Sequence, residues 1–295
     1  MKLLTPAQWR PLLEAHVTRA TDLTRDHLAR RKAGRTHPVW DFLFDYYPIK
    51  PATLAKWHPG VGVALLIDGT SRAEHLPPHA NWRDYHRIDT PQGPAITADL
   101  NSLLQRRETA YSYIADLLRR TETNPAHFDC FGLHEWAMVY RTESTRHPLP
   151  LRLGAAGTDE VVENHALRCT HYDAFRFFTP PARPLNFTVL TRPQQPEFDQ
   201  CGCLHAGMDL YKWGHKLGPL LPGSVWLDCF ELARDCRQLD MEASPYDCRG
   251  LGFGVVAIET PAGKAEYVTR QRVLSARAAE LRQDLIAAVS AVLPA

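Results

Sequence analysis

The chain has no uninterrupted apolar run near the roughly 18 residues that a membrane span requires, so no membrane partner is expected. Its start, MKLLTPAQWRPLLEAH, lacks the apolar stretch of a secretory leader, which makes a cytoplasmic location the expectation. Charge excess is also missing: 34 Lys and Arg against 33 Asp and Glu leave a formal net charge of +1. No global field therefore draws the chain onto nucleic acid, although a local basic groove stays possible. Seven cysteines, an odd number without the spacing of a small disulfide-bonded domain, point to a reducing compartment. With no internal repeat, low-complexity tract or obvious linker, the expectation is one domain over 1–295. Its N-terminal helix and strands occupy about 1–96, and a helical, site-bearing part covers about 97–295.

What is present is apolar material in helical periods: 44% hydrophobic and 23% charged residues suit a soluble chain with a sizeable core. Thr5 with Pro6 and Gln8 forms a capping-box signature, and Trp9, Leu12, Leu13, His16, Ala20 and Leu23 continue it at helical spacing towards Lys32. Further helices are expected at 97–121, 126–141, 158–178, 204–217, 224–243 and 261–292, with short strands at 61–67, 149–153 and 252–260. The stretch 69–96, which carries several prolines, reads as loop. The fold class is mainly α, a multi-helix bundle with a few short β-strands.

Four helical segments carry polar residues that packing alone does not require. On 224–243, Cys229, Leu232, Ala233, Cys236 and Leu239 form the core face, Asp228, Glu231, Asp235 and Glu242 line its edge, and Asp240 lies on the core face itself. A buried carboxylate costs several kcal/mol unless paired, so these acids imply either a cation or basic neighbours such as Arg234, Arg237, Lys212 and Lys216. On 204–217, His205 and Asp209 are four apart on one face, a spacing suited to a metal or to an Asp that orients a His. The plainer alternative pairs Asp209 with Lys212 or Lys216 on its own helix. Cys201, Cys203 and His205 resemble half of a zinc site, but no matching pair is evident. The 158–178 segment mixes His165, His171 and Arg176 with Phe175, Phe177 and Phe178, and so is expected to border a wet cavity. In 126–141, His134 and Glu135 stand among apolar and aromatic residues, a setting that raises a Glu pKa by desolvation and makes it a usable acid or base.

Six motifs carry a resemblance: His37-Pro38 with Asp41 to Phe44, Trp57 to Gly60, Gly132 to Tyr140, His171 to Phe178, Cys203 to Lys212, and Asp228 to Asp247. Over nearly its whole length the chain resembles a bacterial family catalogued as 3-methyladenine DNA glycosylase. The resemblance implies hydrolysis of the N-glycosidic bond to an alkylated purine in DNA, with no cofactor, and it carries no catalytic residues across. Such an enzyme needs an aromatic pocket for the extruded base and a carboxylate to support the sugar cation or activate water. The candidates for binding substrate are Trp136, Tyr140, His165, Phe175, Arg176 and Tyr211, with Trp213 beside them. Those for catalysis are His134, Glu135, His171, Asp209, Glu231 and Asp235. Phosphates would fall to Arg106, Arg107, Arg119, Arg120, Arg141 and Arg176.

Two other classes use the same residues. A metal-dependent oxidase or oxygenase of a small molecule would hold iron, manganese or zinc at His205, Asp209, Glu231 and Asp235 with a His from 158–178, although the Glu-x-x-His spacing of ferritin-like proteins is absent. A non-catalytic helical protein would use the cavity to bind a ligand without a poised acid.

Overall fold

The architecture comes from a computed structural model that describes residues 1–67 and 76–293. In chain order, β1 (Lys2–Leu4) leads into α1 (Pro6–Lys32), α2 (Phe42–Asp45), α3 (Pro51–Leu54), β2 (Val63–Leu66), β3 (Tyr85–Thr90) and β4 (Gly93–Ala98). The remainder is helical: α4 (Leu100–Thr123), α5 (Leu133–Ala137), α6 (Gly154–Glu163), α7 (Tyr172–Phe175) and α8 (Gln195–Phe198) come first. They are followed by α9 (Leu204–Met208), α10 (Leu210–Leu217), α11 (Gly223–Glu242) and α12 (Pro261–Ser290). The protein is mainly α, and one cluster of buried apolar side chains runs from Ala20 to Val289. Among the described residues no helix is long and apolar enough to cross a membrane.

Local chemistry explains the long helices. The Thr5–Gln8 capping box closes the first turn of α1 with Pro6 at its start. α4 begins after Asp99, whose carboxylate accepts from the Ser102 amide at 3.0 Å. The residues at 97 and 98 that looked like its first turn belong to β4 instead. α11 is the central post: it packs on α9, α10, α12 and α1, and its buried residues include Trp226, Phe230, Leu232 and Leu239.

Several expectations fail for identifiable reasons. Residues read as loop over 69–96 include β3 and most of β4, paired as a hairpin around Pro91 and Gln92, while 68–75 lie outside the described residues. The sheet order is β1-β2-β4-β3, with β1 parallel to β2 and the other pairs antiparallel. Pro94, near the start of β4, hides the strand because proline contributes no amide to a ladder. The helix expected over 126–141 shrinks to α5, since Phe131, Gly132 and Arg141 all have left-handed backbone, with φ of 49°, 76° and 48°. At Gly132 a Cβ would lie 3.3 Å from that of Ala243, so the close approach of α5 to the end of α11 also requires glycine. The helix expected over 158–178 splits into α6 and α7. Between them the backbone of Cys169 is bound on both sides by the Asn186 amide, at 2.9 and 3.0 Å, in place of helical partners. No strand forms at 252–260, and 149–153 supplies only a single bridge between Leu151 and Tyr246.

Candidate functional site

Short helices and their flanks, rather than long ones, deliver the polar groups to the core. Gly132 turns the chain so that α5 enters with His134 and Glu135, both about 5% exposed, facing α11. The extended segment fixed by Asn186 ends at His171, which precedes α7. Asp209 ends α9 and starts α10: its amide donates to the His205 carbonyl at 2.8 Å and its own carbonyl accepts from Trp213 at 2.9 Å. α11 contributes Arg237 and Asp240 from its core face.

These residues form one buried network. The His134 Nε2 hydrogen-bonds Asp240 Oδ1 at 2.8 Å, and its Nδ1 lies 3.3 Å from the Cys130 sulfur. Arg237 donates to the other Asp240 oxygen at 2.9 Å and to Glu135 at 3.0 Å. On the far side Asp209 accepts from the Tyr47 hydroxyl at 2.8 Å and from Lys212 at 2.5 Å, with His171 Nε2 at 3.3 Å. Lys212 also lies 3.6 Å from Asp173, which Arg192 and Arg176 bind at 2.6 and 3.1 Å. The His205 ring joins the halves: its centroid is 4.5 Å from that of His134 and 5.4 Å, stacked, from that of His171.

Electrostatics gives the members different states. Burial disfavours the His134 cation, but the Asp240 carboxylate outweighs it and raises the pKa well above 6.5. The reverse holds at His205, where burial and then the His134 charge push the pKa down to about 3, leaving a neutral imidazole. Burial also works against ionised Asp209 and Asp240, yet Lys212 with His171 and His134 with Arg237 hold both carboxylates below their usual range. Glu135 is raised by burial and by Asp240. Beside the network, Asp199 is pushed up to about 6 by burial.

The donor set fits a cation. Ligand atoms of His134, His205 and Asp240 lie within 4.8 Å of one another. The His205 side chain, 11% exposed, hydrogen-bonds none of the described residues, and its nearest carboxylate oxygen in the set is Asp240 Oδ2 at 4.0 Å. Two imidazoles and one carboxylate suit iron, zinc or manganese, whose binding would displace the proton that His134 Nε2 shares with Asp240 Oδ1. A cavity of about 10 Å³, room for roughly one water, borders His134, His171 and His205 together with Cys130, Cys169 and Cys203.

The structure brings His134, Glu135, His171, His205 and Asp209 together and leaves other candidates outside. Glu231 binds Arg19 at 3.0 Å and Asp235 binds Arg277 at 2.6 Å, both at the partly exposed edge of α11. The ligand set of His205, Asp209, Glu231 and Asp235 is therefore not assembled; Asp240, which points inward from the same helix, stands where those two acids were expected. His165 turns back to the Val161 carbonyl at 2.6 Å. Trp136, Phe175 and Tyr211 are core side chains, and Trp136 donates to the Ala243 carbonyl at 2.9 Å. Tyr140 donates to Glu163 at 3.0 Å, and Arg176 is held by Asp173. The arginines expected to hold phosphates are largely engaged: Arg106 by Asp84, Arg119 by Ser290, Arg120 by Asp116 and Arg141 by Glu163. Tyr47, Cys130 and Arg237 were not singled out as site members. The only sequence signal for Cys130 is its spacing four residues before His134.

No family model matches the chain, and no curated protein or solved structure is similar enough to it to bear on its function.

Proposed function

We propose that this chain is a metal-dependent enzyme whose single divalent transition-metal ion is held by His134, His205 and Asp240. One observation carries the reading: ligand atoms of two imidazoles and one carboxylate, His134, His205 and Asp240, come within 4.8 Å of one another in the core, and His205 has no hydrogen-bond partner among the described residues. When bound, the ion would supply redox or Lewis-acid chemistry, and a set of two histidines and one carboxylate favours iron and oxidation of a small molecule. The chain's own groups have separate parts. Arg237 fixes the orientation of Asp240, and Cys130 meets the far nitrogen of His134. Lys212 and Tyr47 keep Asp209 ionised, so that a proton is held at His171 Nε2 next to His205.

Metal analysis of protein purified without chelator, repeated after loading with Fe(II), Zn(II) or Mn(II), tests this directly. About one equivalent of metal is expected in the native chain, and under about a tenth in His205→Ala with an unchanged circular dichroism spectrum. A native chain that retains under about a tenth of an equivalent after every loading refutes the assignment. The same samples address the N-glycosylase activity implied by the resemblance: release of 3-methyladenine from alkylated DNA, unaffected by strong chelators, would favour that reading instead.

A further inference from the structure

Away from the buried network, a pocket of about 720 Å³ opens between the β3 end of the sheet, α4, the last turn of α10 and the first half of α11. Its rim carries Lys56, Arg83, Arg107 and Lys216. Lys56, Arg83 and Lys216 form no ion pair among the described residues, and Arg107 donates only to the Lys216 carbonyl, at 3.3 Å. The one carboxylate in the lining, Asp84, is already bound by Arg106 at 2.8 Å. Four cations thus line one opening without a carboxylate partner among the described residues, Lys56 lying over the Trp82 ring and Lys216 over that of Trp213, in a chain whose net charge is only +1. The larger groove of about 900 Å³ between α1 and α11 offers a contrast, because there Arg19, Arg30 and Arg234 each face a carboxylate.

The pocket has aromatic rings in its lining: Trp82 is half-buried, with the Lys56 ammonium 5.7 Å over its ring, whereas Tyr85 is stacked on His58, to which its hydroxyl bonds at 2.8 Å, and Trp226 on His215 and Tyr211, so that both are buried. Burial together with the neighbouring cations lowers the pKa of His215, and that of His58 to about 3, so both rings stay neutral and the positive charge is confined to the rim. A half-buried indole beside cations that lack carboxylate partners recognises a planar ring that carries an anionic group.

We propose that this pocket binds a nucleoside monophosphate, its base against Trp82 and its phosphate at Arg83, Arg107 and Lys216. A small ligand is favoured over a polymer because the four rim cations share one opening, whereas Arg106, Arg120 and Arg141 are paired with acids. The site is separate from the metal proposal: His134, His205 and Asp240 do not line this pocket, and His215 comes six positions after Asp209, about 9 Å along the helix axis.

Calorimetry and tryptophan fluorescence of the full-length protein with AMP, GMP, CMP and UMP, each against its nucleoside and against inorganic phosphate, test the assignment. At least one nucleotide should bind about ten times more tightly than its nucleoside or phosphate, and less tightly as salt rises. Arg83 and Lys216 are both exposed, so the double variant Arg83→Ala with Lys216→Ala should melt as the native chain does. It should weaken that nucleotide about tenfold or more and leave the nucleoside unchanged. No nucleotide binding more tightly than its nucleoside, or an unaltered affinity in the double variant, overturns the proposal. A single-stranded oligonucleotide bound about a hundredfold more tightly than any mononucleotide would also overturn it, in favour of a polymer partner.

Discussion

Replacing Arg237 by methionine probes how the buried charges of the network depend on one another. The side chain is 1% exposed, its guanidinium lies over the Phe42 ring at 4.2 Å, and it donates to Glu135, Asp240 and His147. Methionine has similar length and fills the volume against Phe42, so the loss is mainly electrostatic. Glu135 has no other side-chain hydrogen bond among the described residues, and Asp240 keeps only His134. Two charge-assisted bonds at about 1.5–3 kcal/mol each, with two carboxylates left facing one another, place the destabilisation at about 3–5 kcal/mol. Urea unfolding at neutral pH measures it, with Glu135→Gln alone and in combination completing a double-mutant cycle. Because the amide removes the stranded charge, the combined variant should recover about 1.5 kcal/mol or more relative to additivity. A single-variant loss under about 1 kcal/mol, or two losses that add within about 0.5 kcal/mol, would refute the view that Arg237 holds the two acids together.

Asn186→Ala strips the buried backbone of Cys169 of both its partners and should cost about 2–4 kcal/mol in the same assay. It should also displace the His171 imidazole resonances, since that segment sets the approach to His171; an unmoved spectrum would contradict the positioning role. Arg152 binds Glu259 through two bonds of 2.6 and 2.8 Å, with side chains 11% and 19% exposed. Burial tends to raise the Glu259 pKa, but the guanidinium outweighs it and holds it below 4.5. A carboxylate lowered in the folded state contributes stability above its unfolded pKa and loses it as pH falls through the folded value. Between about pH 6 and pH 3, Arg152→Ala, itself weaker by about 1.5–3 kcal/mol at pH 6, should therefore lose less stability than the native chain; parallel curves would dismiss the pair as a source of acid sensitivity.

Periodicity and capping by themselves determined the long elements: the box at Thr5 and Gln8, the apolar stripe of α4, and the courses of α11 and α12 are local properties of consecutive residues. The same residues announced a mainly α protein and several of the groups that meet in its core, because His134, His171, His205 and Asp209 are difficult to explain as surface or plain packing residues. Local pattern put Asp240 on the core face of α11 and Glu231 and Asp235 at its edge, but could not tell which of these acids meets the histidines. Glu231 and Asp235 project towards Arg19 and Arg277, while Asp240 enters the core, and that difference rests on the packing of α1, α9 and α12 around the helix. The breaks that make the site are also tertiary. Left-handed backbone at Phe131 and Gly132, and an extended run held by a side chain 17 residues away, replace helices that local propensity favours. The partners of His134 show the limit most clearly: Cys130 is a neighbour in sequence, but Asp240 lies 106 residues on, and only the folded chain places its carboxylate 2.8 Å from the ring.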